Sequence, residues 1–538
     1  MAEKIIKNDK LSKDLGVGAF SLGLSTIIVK ILGLIYKIPL SSILGDEGMG
    51  YFNSAYAVYA FFYLLCTAGV PKAVMILVSE ARARGREADE KQIIRTAMLL
   101  FVSLGVILTI LLIVLSGWLS QIIGNSKSKA TMIAIAPSII FISISGVVRG
   151  FLNADMKLID ISVSQIVEGV GKLVVGILLA SLGKRLALPL EIISSLTILG
   201  VSFGALFGLI YLLVCSKIQI FGKNIGQKEC NLTRRATAKR IFSISVPITL
   251  SAAVMSLTNL IDLGLIMRSL ERIGYSESQS SALYGNYTTL AVPMLNLAVA
   301  IITPISVSFL PLFTDCIVRI DNLRLKDTEK SALDISAFIA APLTMGLMLF
   351  PREILDLLFK NSETGLGASL LCLLAPSVLL SSILININNY LESQGRLRAP
   401  LISMTVGSLV KIIASYFLIT RSGVGIFGAP IGTVLSYATA LFVSLIIYVC
   451  TNKQSPPILS TYFLPCILSM VAVGVARKVY DGSSKGVVNL IFSIMLAALL
   501  YLVLSCLLTL VRRDSFRKLA ILPKTHAKNY QIRRNLKT

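Results

Sequence analysis

Fourteen long apolar stretches decide most of what this chain can become. They fall at roughly 16–41, 49–78, 93–116, 130–151, 158–183, 190–215, 241–268, 283–312, 331–350, 366–390, 400–420, 427–450, 458–479 and 486–511. A helix needs about 20 apolar residues to cross the bilayer core. Inside hydrocarbon every backbone N–H and C=O must be satisfied, which leaves helices or a closed barrel. The alternation in ~10-residue segments that marks a barrel is missing. Only 15% of the 538 residues are charged, against roughly a quarter in soluble domains. The expected fold is an all-α polytopic membrane protein with 14 transmembrane helices.

A net charge of +23 raises the question of nucleic acid, and the distribution of the charge answers it. With residues near span ends counted in the adjoining loops, 34 of the 51 Lys and Arg lie on the side that carries both termini, 12 on the other, and five within spans. The positive-inside rule then places both termini in the cytoplasm. Attraction to anionic lipid heads accounts for the basic excess, so no nucleic-acid partner is expected. The first apolar run is too long for a signal-peptide core and lacks a small-residue cleavage site, so it is expected to persist as the first span. Eight cysteines are scattered, none in an outer loop and none as CxxC, so neither disulfides nor metal sites are expected. The single histidine, His526, lies in the basic tail, which removes most imidazole-dependent chemistry.

An internal repeat sets the architecture. Ala136-Pro137-Ser138 recurs as Ala375-Pro376-Ser377, and at the same offset Phe151-Leu152 meets Tyr390-Leu391, Lys157 meets Arg396 and Lys172 meets Lys411. Helices 1–6 therefore repeat as helices 7–12 in the same orientation, a parallel repeat of the kind that encloses a central cavity opened by rocking. Two pseudo-symmetric six-helix lobes and two C-terminal helices follow: 1–239 as the N-lobe with its basic linker, 240–455 as the C-lobe, 456–511 as the final helix pair, and 512–538 as a basic cytoplasmic tail.

An ionisable residue at mid-membrane costs about 2.5–3.5 kcal/mol on insertion scales and is a functional candidate by default. Lys30 and Lys37 stand two helical turns apart on one face of helix 1. Lys72 follows Pro71 at a break in helix 2, where it serves either the substrate or the freed carbonyls. Glu168 and Lys172 have ion-pair spacing on helix 5, while Lys411, the repeat mate of Lys172, lacks an acidic neighbour and points to a cavity or a bound anion. Asp262 and Asn259 share a face of helix 7. Asp262 is either a counterion for Lys30 or a site for coupling Na⁺ or H⁺, and Arg268 near the outer end is either a substrate contact or an interface anchor. Asn386 and Asn389 either contact sugar hydroxyls or join helices. Five intraspan lysines against two carboxylates favour an anionic substrate, with phosphate the obvious group. No other cofactor is expected.

The stretch from Val29-Lys30-Ile31 to Lys37-Ile38-Pro39, then Leu44-Gly45-Asp46-Glu47-Gly48-Met49-Gly50-Tyr51 and Ala68-Gly69-Val70-Pro71-Lys72-Ala73, resembles the SpoVB and MurJ-like branch of the MOP flippase superfamily. So do Ala282-Leu283-Tyr284-Gly285-Asn286 and Pro293-Met294-Leu295-Asn296-Leu297. The resemblance implies transfer of a polyprenyl-pyrophosphate-linked saccharide, such as a lipid II-like, spore-cortex or polysaccharide precursor, through a cationic cavity between two lobes. It also implies a lipid groove formed by helices 13 and 14. The helix 2 arginine of lipid II flippases has no counterpart here: the aligned stretch is Phe61-Phe62-Tyr63. Two other readings stay open, a MATE-like cation-coupled exporter of drugs or metabolites and a membrane scaffold for cell-envelope synthesis machinery. An enzyme is not expected, because no loop is long enough for a catalytic domain.

Overall fold

The computed structural model describes residues 2–216, 233–359, 364–421, 423–483 and 486–511, and at 2–20, 22, 23, 251, 252, 254, 255 and 508–511 only the course of the backbone. Most of the basic connection Ser216–Arg240, Cys230, and the tail with His526 lie outside the described residues. Every regular element described is helical. The first half holds α1 (Ala2–Thr67), α2 (Val70–Ala83), α3 (Glu87–Ile123), α4 (Lys129–Ile135), α5 (Ser138–Ala154), α6 (Leu158–Arg185) and α7 (Leu190–Ser216). The second holds α8 (Arg234–Arg272), α9 (Glu277–Asn286), α10 (Val292–Ser308), α11 (Leu310–Val318), α12 (Asn322–Leu349), α13 (Pro351–Leu358), α14 (Thr364–Leu374), α15 (Pro376–Ser393), α16 (Arg398–Ile419) and α17 (Gly428–Asn452). Two more, α18 (Ile458–Asp481) and α19 (Val487–Val511), follow.

Among the described residues, 11 helices are long and apolar enough to cross a membrane, or 12 if the bent pair α4–α5 counts as one span. The count of 14 is finer than this, because the helical path Leu24–Ala83 alone runs 60 residues. At 1.5 Å per residue that is about 90 Å, some three bilayer cores. It breaks at Gly45, whose φ of 63° and ψ of −177° suit glycine alone.

The helix ends recur in step with the sequence repeat. The α5 end closes with Met156 N–H on Asn153 C=O and Lys157 N–H on Leu152 C=O, and the α15 end with Gly395 on Glu392 and Arg396 on Leu391. The α2 end uses Gly85 and the α11 end uses Ile320 in the same motif, a left-handed C-cap that satisfies two otherwise orphaned carbonyls. Ser276 opens α9 with a capping box, reciprocally bonded to Gln279. Ser276→Ala is expected to lower stability by about 1 kcal/mol, checked by thermal melting in detergent.

Buried apolar residues divide unevenly. One cluster spans both halves and includes Tyr36, Leu40, Phe52, Met267, Tyr284 and Leu371. A second stays in the first half around Val74, Phe101, Val148 and Leu212, joined from α8 by Ile241 and Ile244. A third stays in the second half around Phe313, Leu333, Ile387 and Tyr448. α2 and α5 pack on one another and otherwise on α1, α3, α6, α7 and α8. The halves thus share a core at one end and keep separate cores at the other, the end that carries the Arg- and Lys-rich connections.

The shared end is a backbone-to-backbone junction. A Cβ on Gly50 would collide with the Ser281 carbonyl, and one on Gly285 with the Asp46 carbonyl. Side chains complete it: Asn53 Nδ2 donates to Thr289 Oγ1 at 2.8 Å, Asn286 Nδ2 to Asp46 Oδ2 at 2.9 Å, and Asn125 Nδ2 to Ser54 at 3.0 Å and Ser281 at 3.3 Å.

Candidate functional site

Lys37 leaves the face of α1 just inside that junction. Its Nζ donates across to the Thr288 carbonyl at 2.8 Å. Thr288 sits in a π-helical turn, Tyr287–Ala291, between α9 and α10. Such turns disrupt the i−4 ladder and cluster at functional sites. Here the turn offers a main-chain acceptor to an ammonium from the other half.

Lys172 on α6 is placed differently. Its ammonium lies 5.2 Å from the Tyr36 ring centre and 4.6 Å from that of Tyr56. Tyr36 is pinned by its hydroxyl donating to the Thr197 carbonyl at 3.0 Å. Gly176 makes room for that ring, since a Cβ there would strike the Tyr36 hydroxyl, and Gly200 and Gly204 let α7 press against α6. Ring faces stabilise an ammonium by up to about 2 kcal/mol without neutralising it, so the charge stays available to an anion.

The expected Glu168–Lys172 pair does not form. Glu168 Oε2 instead takes Arg149 Nη2 of α5 at 2.8 Å. A guanidinium matches a carboxylate better than an ammonium does and outcompetes the local i, i+4 partner. Arg149 keeps a buried Nε with no acceptor among the described residues. It escaped the sequence reading because its place near a span end put it with the basic loop.

Asp262 is also paired otherwise than expected. Its partner is Lys411 Nζ, at 2.8 Å from Oδ2, not Lys30. Lys411 is therefore not a lone cation, and Asp262 has an ammonium where a coupling cation was one expectation. Both side chains are largely buried, at 17% and 10% exposure, so each needs the other's charge. Tyr287 bonds Thr433 beside them at 3.4 Å.

The remaining candidates separate. Lys30 and Lys72 are exposed and have no hydrogen-bond or ion-pair partner among the described residues. Asn259 is exposed while Asp262 is buried, so the two do not form one site. Arg268 is anchored away from the lysines, on the Gln121 and Ile122 carbonyls at the end of α3 and on Glu271. Asn386 joins helices, donating to Ser336 Oγ and the Ser382 carbonyl at 2.8 Å each. Asn389 is buried with its Nδ2 unpartnered. The first half thus holds Lys37 on a carbonyl, Lys172 over two rings and Arg149 on Glu168, one helical turn from Lys172.

A family model described as "Polysaccharide biosynthesis protein" matches residues 15–317, more than half of the chain. "Stage V sporulation protein B" of Bacillus subtilis (strain 168) is 24% identical over 523 residues, covering 94% of this chain and 97% of that protein. "Lipid II flippase MurJ" of the same organism is 22% identical over 493 residues, covering 87% and 89%. Among solved structures, lipid II flippase MurJ in an inward closed conformation superposes with a TM-score of 0.69 at 17% identity, over 92% of this chain and 99% of that one. An inward-facing MATE family multidrug resistance transporter of the MOP superfamily gives 0.63 at 16% identity, over 81% and 98%. At these identities the structural likeness is one of fold.

Proposed function

Because this chain belongs to the polysaccharide biosynthesis protein family, and has the fold of the MOP superfamily, we propose that it is a flippase rather than an enzyme, moving a polyprenyl-pyrophosphate-linked saccharide across the bacterial cytoplasmic membrane by alternating access. The observation that carries the reading is the charge imbalance between the halves. Lys411 is balanced by Asp262 in the second half, whereas Lys37 and Lys172 in the first have a carbonyl and ring faces as partners. A dry site with uncompensated ammonium groups attracts a pyrophosphate. Similarity to a lipid II flippase and to a sporulation protein supports a cargo among cell-envelope precursors. Envelope-synthesis enzymes are the expected partners.

In this reading the segments 1–239 and 240–455 rock as lobes, 456–511 guides the lipid tail, and 14 spans hold both termini and the tail 512–538 in the cytoplasm. At the basic end the two cores are separate, tied through α8 by the Arg240–Glu80 pair, and parting there would open a path to the cytoplasm. Exposed Lys30 and Lys72 draw the anion in. Lys37, Lys172 and Arg149 then take the pyrophosphate. As the phosphate displaces the Thr288 carbonyl from Lys37, one tie across the shared end is lost, which links loading to opening on the far side. Asp262 needs no external cation in this scheme, so replacing Na⁺ by choline is expected to leave the transport rate unchanged. A rate that follows Na⁺ would oppose this.

A MATE-like exporter of cationic compounds needs an unpaired carboxylate in the cavity, and both intraspan carboxylates are committed to in-chain cations. The test is translocation of a lipid-linked precursor by the reconstituted chain, with expression verified. Lys37→Ala and Lys172→Ala should each slow it on the order of tenfold, the worth of one charge-assisted hydrogen bond. Rates equal to wild type in both would remove the anion site. Depletion in the native host should leave precursor in the inner leaflet.

A further inference from the structure

A cavity of about 630 Å³ lies at the basic end of the second half, apart from the lysines above. Its walls come from the last turns of α15 and α17, the α11–α12 connection and the start of α12, so it sits where spans meet the membrane surface. Its interior is rich in acceptors. Glu329 is 6% exposed, and its Oε1 takes the Tyr448 hydroxyl at 2.7 Å, with no cation paired to the carboxylate among the described residues. Gln394 spends its Nε2 on Asn452 Oδ1 at 2.7 Å, which leaves its Oε1 buried and without a donor. A buried carboxylate and a buried amide oxygen together ask for a strong donor. Lys326 and Lys330, both exposed, line the same cavity with exposed Asp327 between them, so this rim is net positive.

One wall of the cavity is built against local preference. Ile320 lines it with φ at 57°, a β-branched residue in left-handed backbone. The matching cap in the first half carries Gly85. Such strain persists where surroundings or function require it. Val318, Ile320 and Leu323 project outward at 75%, 81% and 82% exposure, a patch suited to acyl chains at the bilayer surface.

We propose that this cavity seats the head group of a zwitterionic lipid bearing a primary ammonium, of phosphatidylethanolamine chemistry. The ammonium meets Glu329 and the Gln394 Oε1, the phosphate meets Lys326 and Lys330, and the chains lie along Ile320 and Leu323. The site does not rest on the identity of the transported cargo. It fits a lipid rather than a free aminoalkyl phosphate because the outward apolar patch adjoins the polar floor.

The experiment uses the full chain in detergent, with bound lipid counted by native mass spectrometry. The probes are dioleoyl phosphatidylethanolamine, its N-trimethylated phosphatidylcholine counterpart, dioleoyl phosphatidylglycerol and free phosphoethanolamine. Phosphatidylethanolamine should bind roughly tenfold more tightly than phosphatidylcholine, which cannot donate hydrogen bonds from its head. Glu329→Gln should erase that preference, and the double variant Lys326→Ala/Lys330→Ala should weaken both lipids alike. If Glu329→Gln does not fold, Gln394→Ala tests the second acceptor and should reduce the preference. Equal binding of the two lipids, or a preference that survives Glu329→Gln, overturns the proposal. Tighter binding of phosphatidylglycerol overturns the ammonium assignment, and free phosphoethanolamine binding as tightly as the lipid overturns the membrane source.

Discussion

Gly50→Ala and Gly285→Ala are each expected to keep the chain from closing at its shared end. The added methyl group meets a backbone carbonyl of the opposite half in both cases, Ser281 for one and Asp46 for the other. A main-chain atom cannot rotate aside as a side chain can, so the halves must part. Overpacking of this kind costs about 1–3 kcal/mol, which shifts a two-state equilibrium by on the order of tenfold or more toward the parted form. Buried Ser281 provides the readout. A cysteine placed there should resist a membrane-impermeant maleimide in the parent and react in the Gly50→Ala background. Equal protection in both would mean that the junction can absorb a methyl group, and that the glycines are not what sets its closeness. Gly346, where a Cβ would meet nothing within 4 Å, is the control site.

The second large effect concerns Asp262 and Lys411. Asp262→Asn leaves a largely buried ammonium with no counter-charge, and half-broken buried pairs typically cost 3–5 kcal/mol. Lys411→Met does the same to the carboxylate. The double variant Asp262→Asn/Lys411→Met should recover most of the loss, because a paired buried charge contributes little net stability over an apolar pair. Thermal melting of the four proteins in one detergent closes the cycle. Additive losses would mean that the two groups act separately. Transport by the double variant carries a further result: if it translocates at the parental rate, the pair is structural, and the cargo is handled by the first half alone.

The fold class was legible because it rests on length and apolarity, which the sequence displays directly. The repeat was legible from Ala136-Pro137-Ser138 and its later copy, and the bends and caps fall where those matches lie. Partner choice was not legible. Local spacing joined Glu168 to Lys172, but α5 brings a guanidinium from 19 positions away to the same carboxylate. The repeat placed Asp262 opposite Lys30, while the packing of α8 on α16 supplied Lys411 instead. Exposure divided Asn259 from Asp262 although both sit on one helix. A pattern along one helix ranks candidates. It does not say which neighbouring helix will present the better ion.

Lys37 holds a peptide carbonyl rather than a side chain, and this divides the two partners' tolerance of mutation. Thr288 should accept any residue that preserves the π-turn, because the acceptor is common to all twenty amino acids. Lys37 has no such latitude, since only a long cationic side chain can reach across. Among descendants of this sequence the contact would therefore drift freely on one side and stay fixed on the other. Methods that look for pairs of positions changing together would pass over it.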